Sequence, residues 1–159
     1  MARADLRIAQ LIDLLEAMFG GRSWNGPSLR SSLRGLKPKQ AQWRPAPGRN
    51  AIWELVLHCA YWKHEVRRRL SGGKAEEWGR APHNFPALPA RKTTAAWRSD
   101  IALLEREHQL LVRTVRALEP ADLKRRGRNG WRNEEQIYGV AAHDAYHTGQ
   151  IQLIRRLMR

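Results

Sequence analysis

The sequence predicts an all-α chain, a four-helix bundle with long crossover connections. Four segments repeat apolar residues at three- and four-residue intervals, no stretch alternates apolar and polar residues as a half-buried strand would, and Gly, Pro and short polar side chains bracket the four segments.

The first helix is expected from about Asp5 to Phe19. Leu6, Ile8, Leu11, Ile12, Leu15 and Met18 form its apolar face, and Gly20-Gly21 stops it. The second opens near Ala51 behind Asn50, a good N-cap residue, and ends at Ser71-Gly72-Gly73. Its buried stripe is Ile52, Leu55, Cys59, Trp62 and Val66, with His58 about a quarter turn to one side and His64 on the solvent side. Thr93 or Thr94 caps the third, which reaches about Leu118 and buries Trp97, Ile101, Leu104, Leu111, Val115 and Leu118. The fourth begins near Asn133, with Glu134 and Glu135 favouring the positive end of its dipole, and turns Val140, Ile151, Ile154 and Met158 inward.

About thirty residues precede the second helix and about twenty follow it, too many for short hairpin loops. Such lengths suit a bundle in which some consecutive helices run parallel and the chain must cross over. Pro27, Pro38, Pro45 and Pro47 punctuate the first connection, and Pro82, Pro86 and Pro89 the second. Residues 1–159 are read as a single domain, since no repeat, low-complexity tract or linker divides them.

With 159 residues and 42% hydrophobic content the chain can bury a core of its own, so disorder is excluded. Its single cysteine cannot form an internal disulfide, which is compatible with a reducing compartment. Asp5, Asp13 and Glu16 interrupt the N-terminal apolar residues, so no signal peptide is expected, and no segment is long and apolar enough to span a bilayer. The cytoplasm is the expected location.

A formal charge of +14 invites a nucleic-acid reading. Part of it complements helix ends, with Arg67, Arg68 and Arg69 closing the second helix and Arg155, Arg156 and Arg159 the fourth. Arg22, Arg30, Arg34, Lys37, Lys39, Arg44 and Arg49 also occupy the first connection without one acidic residue. No zinc-finger spacing, helix-turn-helix or aromatic-interleaved RNA motif accompanies them, so nucleic acid is expected only as weak, salt-sensitive electrostatic binding.

The chemistry lies among the histidines. His143 and His147 stand one helical turn apart, so both imidazoles leave the fourth helix on one side and can meet one metal ion. His58, far away in sequence, supplies a third ring from the second helix. Antiparallel placement of the two helices would bring the three together. Three histidines leave coordination positions open, unlike a closed site of four protein ligands.

His108 sits at the centre of the third helix's buried stripe, where a leucine would be expected, and is a candidate pocket residue. His83 looks incidental. Trp43, Trp53, Trp62 and Tyr146 could wall the site or simply pack. Glu54, Glu65 and Asp144 are the carboxylates nearest the histidines in sequence, and none forms a His-Glu-x-x-His arrangement. Cys59 follows His58 directly but falls on the packing stripe, which predicts a buried, inert thiol.

The segment Pro47-Gly48-Arg49-Asn50-Ala51-Ile52-Trp53-Glu54-Leu55-Val56-Leu57-His58, followed by His143-x3-His147-Thr148-Gly149-Gln150-Ile151, resembles the DinB/YfiT-like superfamily of metal-binding helical bundles. Gln42-Trp43-Arg44-Pro45 extends the likeness ahead of the second helix. The resemblance implies one divalent ion on His58, His143 and His147. Gln150, within the same motif, is expected to orient a ligand or a water by a hydrogen bond. Relatives of this kind include thiol-cofactor-dependent transferases and isomerases, with hydrolase activity proposed for others.

The expected function is therefore metal-dependent transfer of a small-molecule thiol to an electrophilic substrate. A metal-dependent hydrolase is the alternative among enzymes. From another class comes a non-catalytic, stress-related module, stabilised by its metal and meeting a polyanion through its basic surface. Zinc is the default ion, with nickel, cobalt or iron suited to the same nitrogen ligands. The partners expected are a small-molecule substrate, a low-molecular-weight thiol and a second copy of the chain in a homodimer, with no membrane.

Overall fold

The computed structural model describes residues 5–158, which are all-helical apart from turns, loops and two isolated β-bridges. Arg159, expected to help close the last helix, lies outside the described residues. No helix among those described is long and apolar enough to cross a membrane.

Four long helices dominate: α1 (Leu6–Phe19), α4 (Ile52–Leu70), α5 (Thr94–Arg116) and α6 (Asn133–Leu157). Two one-turn helices, α2 (Leu29–Ser32) and α3 (Pro38–Ala41), interrupt the first connection, and a 3-10 turn (Pro120–Lys124) precedes α6.

Local chemistry sets the ends. Asp5 accepts the Arg7 amide hydrogen at 2.8 Å and starts α1, and the amides of Gly20 and Gly21 both close on the Glu16 carbonyl. At α4 the N-cap is Ala51 and not Asn50, because the Glu54 carboxylate reaches back 2.8 Å to the Ala51 amide. Thr93 caps α5 through the Ala96 amide, and Glu135 accepts from the Arg132 amide at the start of α6. Leu6, expected on the apolar face of α1, is exposed on its first turn.

Residue pairs fix the helix directions. Trp53 meets Trp97 and Asp100 near the starts of α4 and α5, and Arg67 meets Glu107 farther along both, so these helices run the same way. Between α4 and α6 the pairs are His58 with His147, Lys63 with Asp144 and Arg69 with Gln136, an antiparallel order. α4 is consequently buried on nearly every side, including Trp53, Leu57, Ala60, Lys63 and His64.

The first connection is tied down at several points. Trp97 Nε1 donates to the Leu36 carbonyl at 3.0 Å, and Arg155 donates to the carbonyls of Ser32 and Arg34. Arg155 thus closes the first connection onto α6 as well as sitting at the negative end of its own helix. One core cluster includes Leu29, Trp53, Leu57, Trp97 and Ile151, and a second includes Leu15, Leu111, Leu123 and Ile137. Truncating a fully buried leucine such as Leu111 to alanine should cost about 2–5 kcal/mol.

Candidate metal centre

α4 and α6 bring His58, His143 and His147 into one group. His143 Nε2 lies 2.9 Å from His58 Nε2 and 3.0 Å from His147 Nε2. His58 and His147 are buried and His143 is half-buried, in keeping with its shoulder position on α6.

The outer nitrogens decide what the inner ones can do. His58 Nδ1 donates to the Asn84 carbonyl at 2.7 Å, and His147 Nδ1 donates to Gln150 Oε1 at 2.7 Å. With those protons placed outward, Nε2 of both rings presents a lone pair to the centre. A neutral His143 can give an Nε2 proton to only one of its two neighbours, so at least one inward-facing Nε2 lone pair is left without a donor. A cation would satisfy it, and neutral imidazole nitrogen is a ligand for divalent zinc, nickel, cobalt or iron. The residues present therefore fit a metal ion.

Burial keeps the rings neutral. Desolvation lowers the His58 pKa to about 4 against the smaller opposing effect of the Asn84 carbonyl. Desolvation, reinforced by His147, His58 and Lys63, lowers that of His143 to about 3. His147 is also lowered by burial, with Gln150 opposing. Deprotonated rings are the form that binds metal.

The connection between α4 and α5 supplies much of the surround. Phe85 stacks on His58 with ring centroids 4.0 Å apart, and Asn84 Oδ1 accepts the Trp62 indole hydrogen at 2.8 Å. Asn84 has φ +70°, a left-handed conformation that asparagine tolerates better than most residues, and its carbonyl meets His58. Proline and polarity mark this segment as a loop, but the aim of one carbonyl at a ring on α4 has no sequence signature.

Other expected site residues divide. Trp62 approaches His58 and His143 edge-on at 6.4 and 6.3 Å between centroids. Tyr146 lies 5.0 Å from His147 and accepts from Gln150 Nε2, yet it is mostly exposed and does not enclose the rings. Trp43 is exposed ahead of α4 and stacks on none of the three histidines. Trp53 is fully buried, with its indole hydrogen on Asp100.

His108 belongs to another environment. It stacks on Phe19 at 3.8 Å, and desolvation lowers its pKa to about 3. The Glu16 carboxylate 3.4 Å away is half exposed and too well solvated to reverse that shift. Asp144 is fully buried against Lys63. Cys59 Sγ shares a group of ligand atoms within 4.8 Å with His143 and Asp144, and burial pushes its thiol well above the usual range.

His64 is not on the solvent side as expected but buried. The crossover after α4 folds back so that Trp78 packs 5.3 Å from its ring, and Glu107 of α5 covers it with Arg67. A cavity of about 400 Å³ is lined there by His64, Trp78, Arg80, Arg106 and Glu107. His83 stacks against Tyr61 in the same fold-back.

The family model described as DinB superfamily matches residues 23–151, a span that contains all three histidines and Gln150. No curated protein and no solved structure matches the chain.

Proposed function

This chain belongs to the DinB superfamily, and from that premise we propose a metal-dependent enzyme that transfers a small-molecule thiol to an electrophilic substrate. His58, His143 and His147 would hold one divalent ion. The observation that carries this reading is the convergence of three Nε2 atoms whose partner nitrogens on His58 and His147 are already engaged outward. Asn84 orients His58, Gln150 orients His147, and Phe85 and Trp62 shield the His58 side. When bound, such an ion stabilises a thiolate or polarises a substrate oxygen.

Transfer is favoured over hydrolysis by the state of the carboxylates. Asp144 is held by Lys63, Glu54 by Arg44 and the Ala51 amide, and Glu65 by Arg68 and Arg69. Glu54 and Glu65 are thus engaged, and Asp144, although its Oδ1 accepts no hydrogen bond, is enclosed with Lys63 with no exposed surface, which disfavours all three as a general base for water. Cys59, buried and protonated, does not serve as the nucleophile.

Elemental analysis of wild type and of His58→Ala, His143→Ala and His147→Ala tests the centre. One ion per chain in wild type and its loss from the variants is expected. Unchanged metal content in all three variants would overturn the assignment. A panel of low-molecular-weight thiols offered with an electrophile then tests the reaction, against ester and amide hydrolysis without thiol.

A further inference from the structure

The positive charge of the first connection is partly spoken for, since Arg30 pairs with Glu105 and Arg44 with Glu54. A denser concentration lies in a cleft of about 950 Å³ between the end of α4 and the turn leading into α6. Arg68, Arg69 and Lys74 line it from one side, and Arg125, Arg126 and Arg128 from the other. Asp122 is the acidic residue among its lining. The cleft begins about 15 Å along α4 from His58, from the helical rise, so it is separate from the three-histidine group.

Much of this charge is uncompensated. Glu65 is shared by Arg68 and Arg69, and Asp122 engages Arg125. Arg126 donates to the Gly130 carbonyl, a neutral partner. Lys74 and Arg128 are exposed and pair with no acidic side chain among the described residues.

Both walls are anchored turns. The Gly73 amide donates to the Arg68 carbonyl at 2.8 Å and the Gly72 amide to that of Arg69 at 3.2 Å, with both glycines at positive φ. These bonds occupy carbonyls at the negative end of α4 that would otherwise repel an anion. Opposite, the Gly127 amide closes on the Trp131 carbonyl, the Asn133 amide on that of Arg125, and the Asn133 side chain on that of Asp122. The cations are thereby carried on backbone that needs little reordering to receive a ligand.

We propose that this cleft binds a compact molecule carrying several phosphate groups. Guanidinium forks match phosphate oxygens in pairs, and a concave cationic surface concentrates multiply charged anions. The facing walls favour a small polyanion that enters between them over an extended duplex. This inference stands independently of the metal-enzyme reading.

Inorganic tripolyphosphate is the probe, titrated calorimetrically into the full chain at low salt. Saturable binding near one per chain is expected. Lys74→Glu/Arg128→Glu should weaken it by at least about tenfold, whereas Arg22→Glu/Arg34→Glu, with the same net charge change, should alter it by no more than about twofold. Both variants change exposed side chains, and unchanged circular dichroism and metal content check that the bundle is intact. Equal weakening by the two variants would reduce the effect to net charge and overturn the proposal, as would the absence of saturable binding. Duplex DNA binding that exceeds tripolyphosphate binding at about 0.15 M salt would overturn it in favour of nucleic acid.

Discussion

Lys63 and Asp144 face each other across α4 and α6 as an ion pair with no exposed side-chain surface on either. The Lys63 ammonium also lies 5.1 Å from the centre of the Phe19 ring. Two charges so enclosed must compensate each other, because neither can reach water. Lys63→Met alone should lower stability by about 3–5 kcal/mol by stranding a buried carboxylate, and Lys63→Met/Asp144→Leu should recover most of that loss. Urea unfolding of the two variants checks this; a single substitution costing less than about 1 kcal/mol would show that the pair is solvated.

Asn84 should matter to the metal through its backbone. A leucine at φ +70° is strained, so Asn84→Leu should displace the carbonyl that orients His58 and weaken metal affinity by about 10–100-fold. Asn84→Gly permits the same backbone and should weaken it far less, although it loses the bond to Trp62. Competition with a chromogenic chelator would measure both, and equal affinities for wild type and Asn84→Leu would remove the carbonyl from the account.

Cys59 should be chemically silent. With its thiol buried and raised well above the usual range, an alkylating reagent at mildly alkaline pH should leave it untouched in native protein and modify it after denaturation. Cys59→Ser should keep metal content and any thiol-transfer activity. Rapid labelling of the folded chain would contradict the burial.

His108 gives acid sensitivity away from the histidine trio. Its folded pKa of about 3 lies below the ordinary value of about 6.5, so at intermediate pH the unfolded chain binds the proton and the folded one does not. Stability therefore falls as pH drops through that interval, by up to about 1.4 kcal/mol per pH unit from this group. His108→Leu should flatten the dependence by that amount, measured by urea unfolding at several pH values. An unchanged slope would mean that His108 protonates without unfolding.

The four long helices were legible because their buried stripes repeat at helical spacing and because Asp5, Thr93 and the glycines after Phe19 and Ser71 mark their ends. α2 and α3 were not, since four residues contain too little of a period to detect. His143 and His147 could be paired from one turn of helix, whereas Asn84 and Phe85 reach His58 only through the fold of a connection. His64 was misplaced for a related reason. Wheel reasoning assumes one face in water, and α4 is covered by α5, α6 and its own fold-back.

The three rings come from helices separated by 85 positions between His58 and His143. An ion held by them would act as a removable cross-link whose strength follows its concentration. At a free metal level one hundred times Kd, such binding adds about 2.7 kcal/mol to the folded state. The melting temperature would then track metal supply, and the protein's persistence in a cell would fall during metal starvation.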